Sequence, residues 1–241
     1  MHTDRLRANS FGGAARRYDA HRPRYPGALI DDLPAGGACR VLDVAAGTGI
    51  ASQQLAQRGA DVLAVEPDAH MAAIAWEKGI VTEVATFETW DPAGRTFDLV
   101  VFAASFHWVD PAVALPKVRR ILRAGGTLAL LWNRLTPVRP TRDDFALIYS
   151  DYMDADSAPA DGRFDEIGAA VSSAGFTVTQ RTYPRDLHYS GQQWLDHAFT
   201  HSNHLTLDAA EANELRRRLA DRIGPDGVAV HAEALAVLAA P

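Results

Sequence analysis

The sequence predicts a doubly wound α/β protein with a mostly parallel sheet, and three observations predict it. Short apolar runs alternate with helical segments from Gly36 to Trp132. A glycine turn, Gly47-Thr48-Gly49, follows the first apolar run. An acid, Glu66, closes the second run 23 residues after Asp43. Buried strands separated by helices mark a sheet covered on both faces, with right-handed crossovers between parallel neighbours.

Val41 to Ala45 reads as the first strand and Ile50 to Arg58 as its helix. Val62 to Val65 is the second strand, and Asp68 is placed to cap a helix running to Lys78. Ile80 to Ala85 and Phe97 to Phe102 are the third and fourth strands. Ala112 to Leu122 is a helix ended by Gly125-Gly126, and Thr127 to Trp132 is a fifth strand. Beyond it, Asp143 to Met153 and Asp165 to Ala174 read as helices and Phe176 to Tyr183 as a strand. Asp186 to Tyr189 is a candidate for the returning antiparallel strand. Gln192 to His201 and Asp208 to Arg222 read as helices, and Ala229 to Leu238 as a last helix or a frayed end. The expected organisation is an arm over residues 1–36, a core over 37–190 and a helical C-terminal region over 191–241.

The 241 residues are 47% hydrophobic and 22% charged, which suits a globular domain with a full core. A net charge of -6 argues against binding along nucleic acid or on an anionic membrane. No stretch reaches the roughly 18 apolar residues of a membrane span. The arginine-rich start lacks the apolar run of a signal peptide. A single cysteine, Cys39, excludes an internal disulfide and fits a reducing, cytoplasmic setting.

Glycines after a first strand let backbone approach a ligand at the carboxyl edge of the sheet. An acid ending the second strand can accept hydrogen bonds from both ribose hydroxyls of an adenosine. Charge then selects between cofactors. A dinucleotide sets an anionic pyrophosphate against the helix N-terminus, where Asp43 would repel it. S-adenosylmethionine (SAM) has no phosphate, and its ammonium suits Asp43. The rival readings are a nicotinamide-dependent oxidoreductase, for which Gly47-x-Gly49-x-x-Ser52 is a loose fingerprint, and a non-catalytic SAM-binding module.

Val41 to Gly49 resembles the first motif of class I SAM-dependent methyltransferases. Glu66-Pro67-Asp68 with Met71 resembles their second motif, and Val84 to Glu88 their adenine-contacting turn. Phe97 to Val100 through Phe106-His107-Trp108 resembles the fourth-strand motif, and Ile121 to Gly126 the turn before the fifth strand. Phe11, Tyr18, Arg22-Pro23 and Tyr25-Pro26 are similar to the N-terminal pattern of the type 11 group that includes trans-aconitate methyltransferase-like proteins. The resemblance implies a seven-stranded sheet ordered 3-2-1-4-5-7-6 with the last strand antiparallel. It implies SAM contacts from Tyr18, Arg22, Asp43, Ala45, Gly47, Gly49, Glu66, Pro67, Met71, Phe87, Glu88, Ala103 and Phe106. Ala45 departs from the usual glycine. Alanine is tolerated there if φ is negative, and slight narrowing rather than loss of binding is expected.

His107 is the candidate to orient the acceptor or take its proton. Tyr25, Trp108 and Trp132 join it as candidate acceptor contacts. Phe87 and Met71 read as walls around adenine, with core packing as the competing role. Tyr18, Arg22 and Tyr25 belong to an arm able to fold over the cofactor, and Arg22 can pair with the SAM carboxylate or an acidic acceptor. His197 and His201 stand four apart, as metal ligands can, but no Glu-x-x-His context accompanies them. With His204 they read as acceptor-pocket wall or packed helix, and no metal is expected. The expected partner is a small-molecule acceptor.

Overall fold

The computed structural model describes residues 12–35, 38–152 and 164–241. Phe11, Gly36 and Met153 lie outside the described residues. The arm contains α1 (Ala15–His21) and α2 (Gly27–Asp31). The core then alternates β1 (Arg40–Val44), α3 (Ile50–Ala56), β2 (Asp61–Glu66), α4 (Ala69–Glu77), β3 (Val81–Val84) and β4 (Phe97–Ala103). A 3-10 turn (Phe106–Trp108) precedes α5 (Pro111–Ile121), β5 (Leu122–Arg139), α6 (Arg142–Tyr149) and α7 (Phe164–Ser173). The chain ends with β6 (Thr177–Tyr189), α8 (Gly191–Ala198), α9 (Ser202–Leu205), α10 (Ala209–Ile223) and β7 (Val228–Ala240).

Among the described residues, seven strands form one sheet in the order β3-β2-β1-β4-β5-β7-β6, as the resemblance implied. β1 to β5 run parallel to one another. β7 runs antiparallel between β5 and β6. One face buries Leu42, Val44, Val100, Phe102 and Leu130 against α5 residues such as Leu115 and Val118. The other buries Val41, Leu99, Val101 and Leu131 against Leu29 and Ile30 of α2 and Leu55 of α3. Alternate residues of each strand therefore serve opposite faces.

Two expectations about the C-terminal part are corrected. Residues 229–238 are not a helix but lie within β7, paired on both sides. Residues 176–183 and 186–189 are not two strands but fall almost wholly within the one continuous strand β6. β5 also runs past Trp132 to Arg139. Together, β5, β7 and β6 carry the sheet beyond the ends of β1 to β4. A separate apolar cluster covers that extension, with Phe145 of α6, Trp194 and Leu195 of α8, and Leu215 and Leu219 of α10 packed over Val228 and Val230. Among the described residues no helix is long and apolar enough to cross a membrane.

Candidate functional site

The order reverses between β1 and β4, and at such a point the loops leaving neighbouring strands diverge and form the crevice where doubly wound sheets take their ligands. The backbone on both sides of it is strained. Ala45, after β1, has φ +50°, and Ala104, after β4, has φ +54°. The expectation of a negative φ at Ala45 is thus corrected. A side chain in this left-handed region costs roughly 1–2 kcal/mol, and such strain gathers at ligand sites. Ser105 Oγ donates to Val44 O at 2.6 Å and ties the two loops together across the crevice.

Gly47 and Gly49 also have positive φ. Gly49 has a second constraint: a Cβ there would lie 3.1 Å from Ala75 Cβ, a crowded contact where α3 starts beside α4.

Asp43 is completely buried. Its Oδ2 accepts from Ser52 Oγ at 2.6 Å, while Oδ1 has no partner among the described residues. Burial raises its pKa to about 6. Glu66, 5% exposed, accepts from Gly47 N–H at 2.7 Å and Asp68 N–H at 2.9 Å. Burial raises its pKa to about 7, against the lowering by those two bonds. A carboxylate offers about four lone-pair sites, so Glu66 keeps two for further donors. Asp68 caps α4 as expected, accepting from His70 and Met71 N–H.

The arm folds over this edge. Tyr25 N–H donates to Gln54 Oε1 at 3.0 Å, and Gln54 Nε2 returns a bond to Tyr25 O. The buried Tyr25 phenol is pushed well above its ordinary pKa by desolvation. Asp19 accepts from Thr48 Oγ1 at 2.8 Å and pairs with Lys78, which also donates to Thr48 O. Tyr18 packs on the small cluster of Ala15, Met71 and Ile74.

The structure thus brings Tyr18, Arg22, Tyr25, Asp43, Ala45, Gly47, Gly49, Glu66 and Met71 around one edge. Ala103 ends β4, and half-buried His107 and Trp108 follow in the 3-10 turn, their rings 4.8 Å apart. Other expected residues stand apart. Phe87 and Phe106 are 3% and 2% exposed and both pack edge-on to Phe102, so the apolar core accounts for them. Trp132 belongs to the same cluster. Glu88 Oε1 accepts from Asp110 N–H at 3.1 Å, and Pro67 is exposed. His201 Nε2 faces the Arg22 guanidinium at 3.3 Å, a neighbour unsuited to a metal ligand. Ser52, Ser105, Asp19, Lys78 and Thr48 were missed by sequence reasoning. Only Ser52 left a signal, three residues beyond the last turn glycine.

Residues 42–130 match the family model described as a methyltransferase domain. An uncharacterized methyltransferase of Mycobacterium tuberculosis is 44% identical over 126 residues, 52% of this chain and 52% of the relative. A trans-aconitate 2-methyltransferase of Variovorax paradoxus is 32% identical over 120 residues, 48% of this chain and 46% of the relative. The chain spans about half the length of these curated relatives. The fold is shared with a SAM-dependent methyltransferase from Geobacter sulfurreducens, solved in complex with S-adenosyl-L-homocysteine. That likeness has TM-score 0.52 at 18% identity and covers 98% of each chain.

Proposed function

We propose that the protein is a SAM-dependent methyltransferase that moves a methyl group to an oxygen or nitrogen of a small-molecule acceptor, carboxylate oxygens included. The observation that carries this reading is the pair of buried carboxylates beside the glycine turn, one of them with an oxygen unpartnered among the described residues. A buried, unpaired anion is costly and fits a cationic ligand group. Asp43 Oδ1 would receive the SAM ammonium, directly or through water, and the remaining lone pairs of Glu66 would receive the ribose hydroxyls. Gly47, Gly49, Ala45 and Ala103 would supply close backbone, with Met71 and Tyr18 as apolar wall. Bound SAM supplies a methyl group already activated on a sulfonium for in-line displacement.

The chain's own part is alignment and exclusion of water, and good positioning is worth roughly 7–11 kcal/mol of barrier. The arm and the extended end of β5, β7 and β6 would enclose the acceptor. A carboxylate acceptor is ionised at neutral pH and needs no base. For a phenol or amine, His107 would take the proton.

Calorimetry with S-adenosylhomocysteine tests the cofactor reading. Glu66→Ala should weaken binding by about 2–4 kcal/mol, since two ribose bonds to a charged group are lost. Unchanged affinity would remove the ribose role. His107→Ala should lower turnover and spare cofactor affinity. If both stay intact, His107 has no part in the chemistry.

A further inference from the structure

Ser52 carries a buried hydroxyl to which the transfer described above gives no part. It lies near the start of α3 and is completely buried, as is Asp43 on β1. Its Oγ reaches back across the glycine turn and donates to Asp43 Oδ2 at 2.6 Å. A serine inside a helix can instead turn its hydroxyl to the carbonyl four residues earlier. Here that carbonyl is Thr48 O, which already accepts from Lys78 Nζ at 2.7 Å. The hydroxyl is spent on the acid.

The surroundings of Asp43 make that bond matter. In the sheet its neighbours are Ala64 on β2 and Val101 on β4, both buried and apolar. Glu66 at the end of β2 and Tyr25 from the arm lie within reach of its charge, and that charge pushes both of them upward. Beyond them, Asp68 acts on Glu66, and Tyr18 and Arg22 act on Tyr25. Among the described residues no cation offsets the burial of Asp43. Burial raises its pKa, and the hydroxyl and backbone N–H of Ser52 are what hold the rise to about 6. Both are donors to the acid and so favour its charged form. A bond to one oxygen also fixes the plane of the carboxylate, and Oδ1 is the oxygen left without a partner among the described residues.

We propose that Ser52 is a positioning residue of the cofactor site, whose hydroxyl holds one oxygen of Asp43 and leaves the other presented, as a carboxylate, to the ligand's ammonium. This rests on the function proposed above and adds what sets the acid's charge before the ligand arrives. Without the hydroxyl, the buried acid keeps its proton to higher pH, and a neutral carboxyl gives up the charge attraction for an ammonium. Binding of the amino-acid nucleoside then weakens near neutrality and recovers in mild alkali.

Calorimetry from about pH 5.5 to 8.5 tests this with S-adenosylhomocysteine and with 5′-methylthioadenosine, which lacks the amino acid. Ser52→Ala should move the acid limb of S-adenosylhomocysteine affinity up by about one to two pH units, the worth of one bond to a charged group. The loss is then on the order of tenfold near pH 6.5 and fades toward about pH 8.5, while methylthioadenosine binds as it does to wild type. An unmoved limb, or a loss that does not change with pH, overturns the positioning role. NMR of the Asp43 carboxyl in ligand-free protein reads the same effect directly. Its midpoint should rise in Ser52→Ala, and an unmoved midpoint overturns the role as well. If Ser52→Ala does not fold, Ser52→Cys, a weaker donor of similar size, should shift limb and midpoint in the same direction. Wild-type protein that binds neither nucleoside would sink the proposed function itself, whereas normal binding with a pH dependence indifferent to Ser52 would sink only this inference.

Discussion

The two halves of the sheet carry opposite electrostatic burdens. On the side of β1 and β2, burial holds two carboxylates, Asp43 and Glu66, above their ordinary pKa. On the side of the extension, burial and Arg22 hold three histidines below theirs. The first half resists becoming negative and the second resists becoming positive. Each half therefore spends stability on groups whose partners would come from a ligand, and the two respond to pH in opposite directions.

The largest expected effect is at Asp43. Its folded pKa is raised, so the native state binds more protons than the unfolded state between about pH 4 and 6. Stability is lost as pH rises through that window, and above it the full desolvation cost is present. Asp43→Asn should raise stability at pH 7.5 by about 3 kcal/mol in urea unfolding, change it little at pH 3.5, and weaken S-adenosylhomocysteine binding. A destabilised variant at pH 7.5 would break the comparison.

The second effect has the reverse sign. His197 has a lowered folded pKa, so below about 6.5 the unfolded state takes the proton first. Stability then falls as pH drops toward 4.5, by about 2 kcal/mol for this group. His197→Phe should remove this group's share of the acid slope, with His201 and His204 keeping theirs, and leave the slope between pH 7 and 8 unchanged. A smaller change is expected at Ala45, where Ala45→Gly should relieve left-handed strain and stabilise by about 1 kcal/mol in thermal unfolding. The smallest concerns the tie between the halves. Tyr183 Oη donates to Asp32 at 2.7 Å on the surface, and Tyr183→Phe should cost only about 0.5 kcal/mol.

The halves also differ in how far they can be read from sequence. β1 to β4 are short, apolar and punctuated by glycines and caps, so local pattern and tertiary environment agree there. The extension sets them against each other. Pro184 looks like a break between two strands, yet β6 lies at the sheet edge, paired only to β7, and an edge strand accommodates proline. The alanines at 229, 232, 234, 236 and 239 favour a helix by propensity, but β7 is held between two strands and uses small residues where both faces are covered. The same division holds for the site. Asp43, the two turn glycines and Glu66 announce themselves by spacing along β1 and β2. Asp19, Lys78 and Ser105 reach the site from distant segments, and no local spacing connects them. Phe87 shows the converse, since an aromatic in the right motif is spent on the core.

The arm has fastenings on both sides of the crevice. Asp19 holds Thr48 and Lys78, and Tyr25 is clipped to Gln54, on the side of the glycine turn. Arg22 reaches Thr200, Arg17 reaches Phe199 O and Pro23 O accepts from Asn133 on the other. A strap buckled at both ends does not swing like a door. Freeing the passage beneath it means releasing several buckles in one event, so under the proposed function molecules would enter and leave in the intervals when the whole strap lifts, and the frequency of lifting would cap turnover however fast the proposed transfer itself runs.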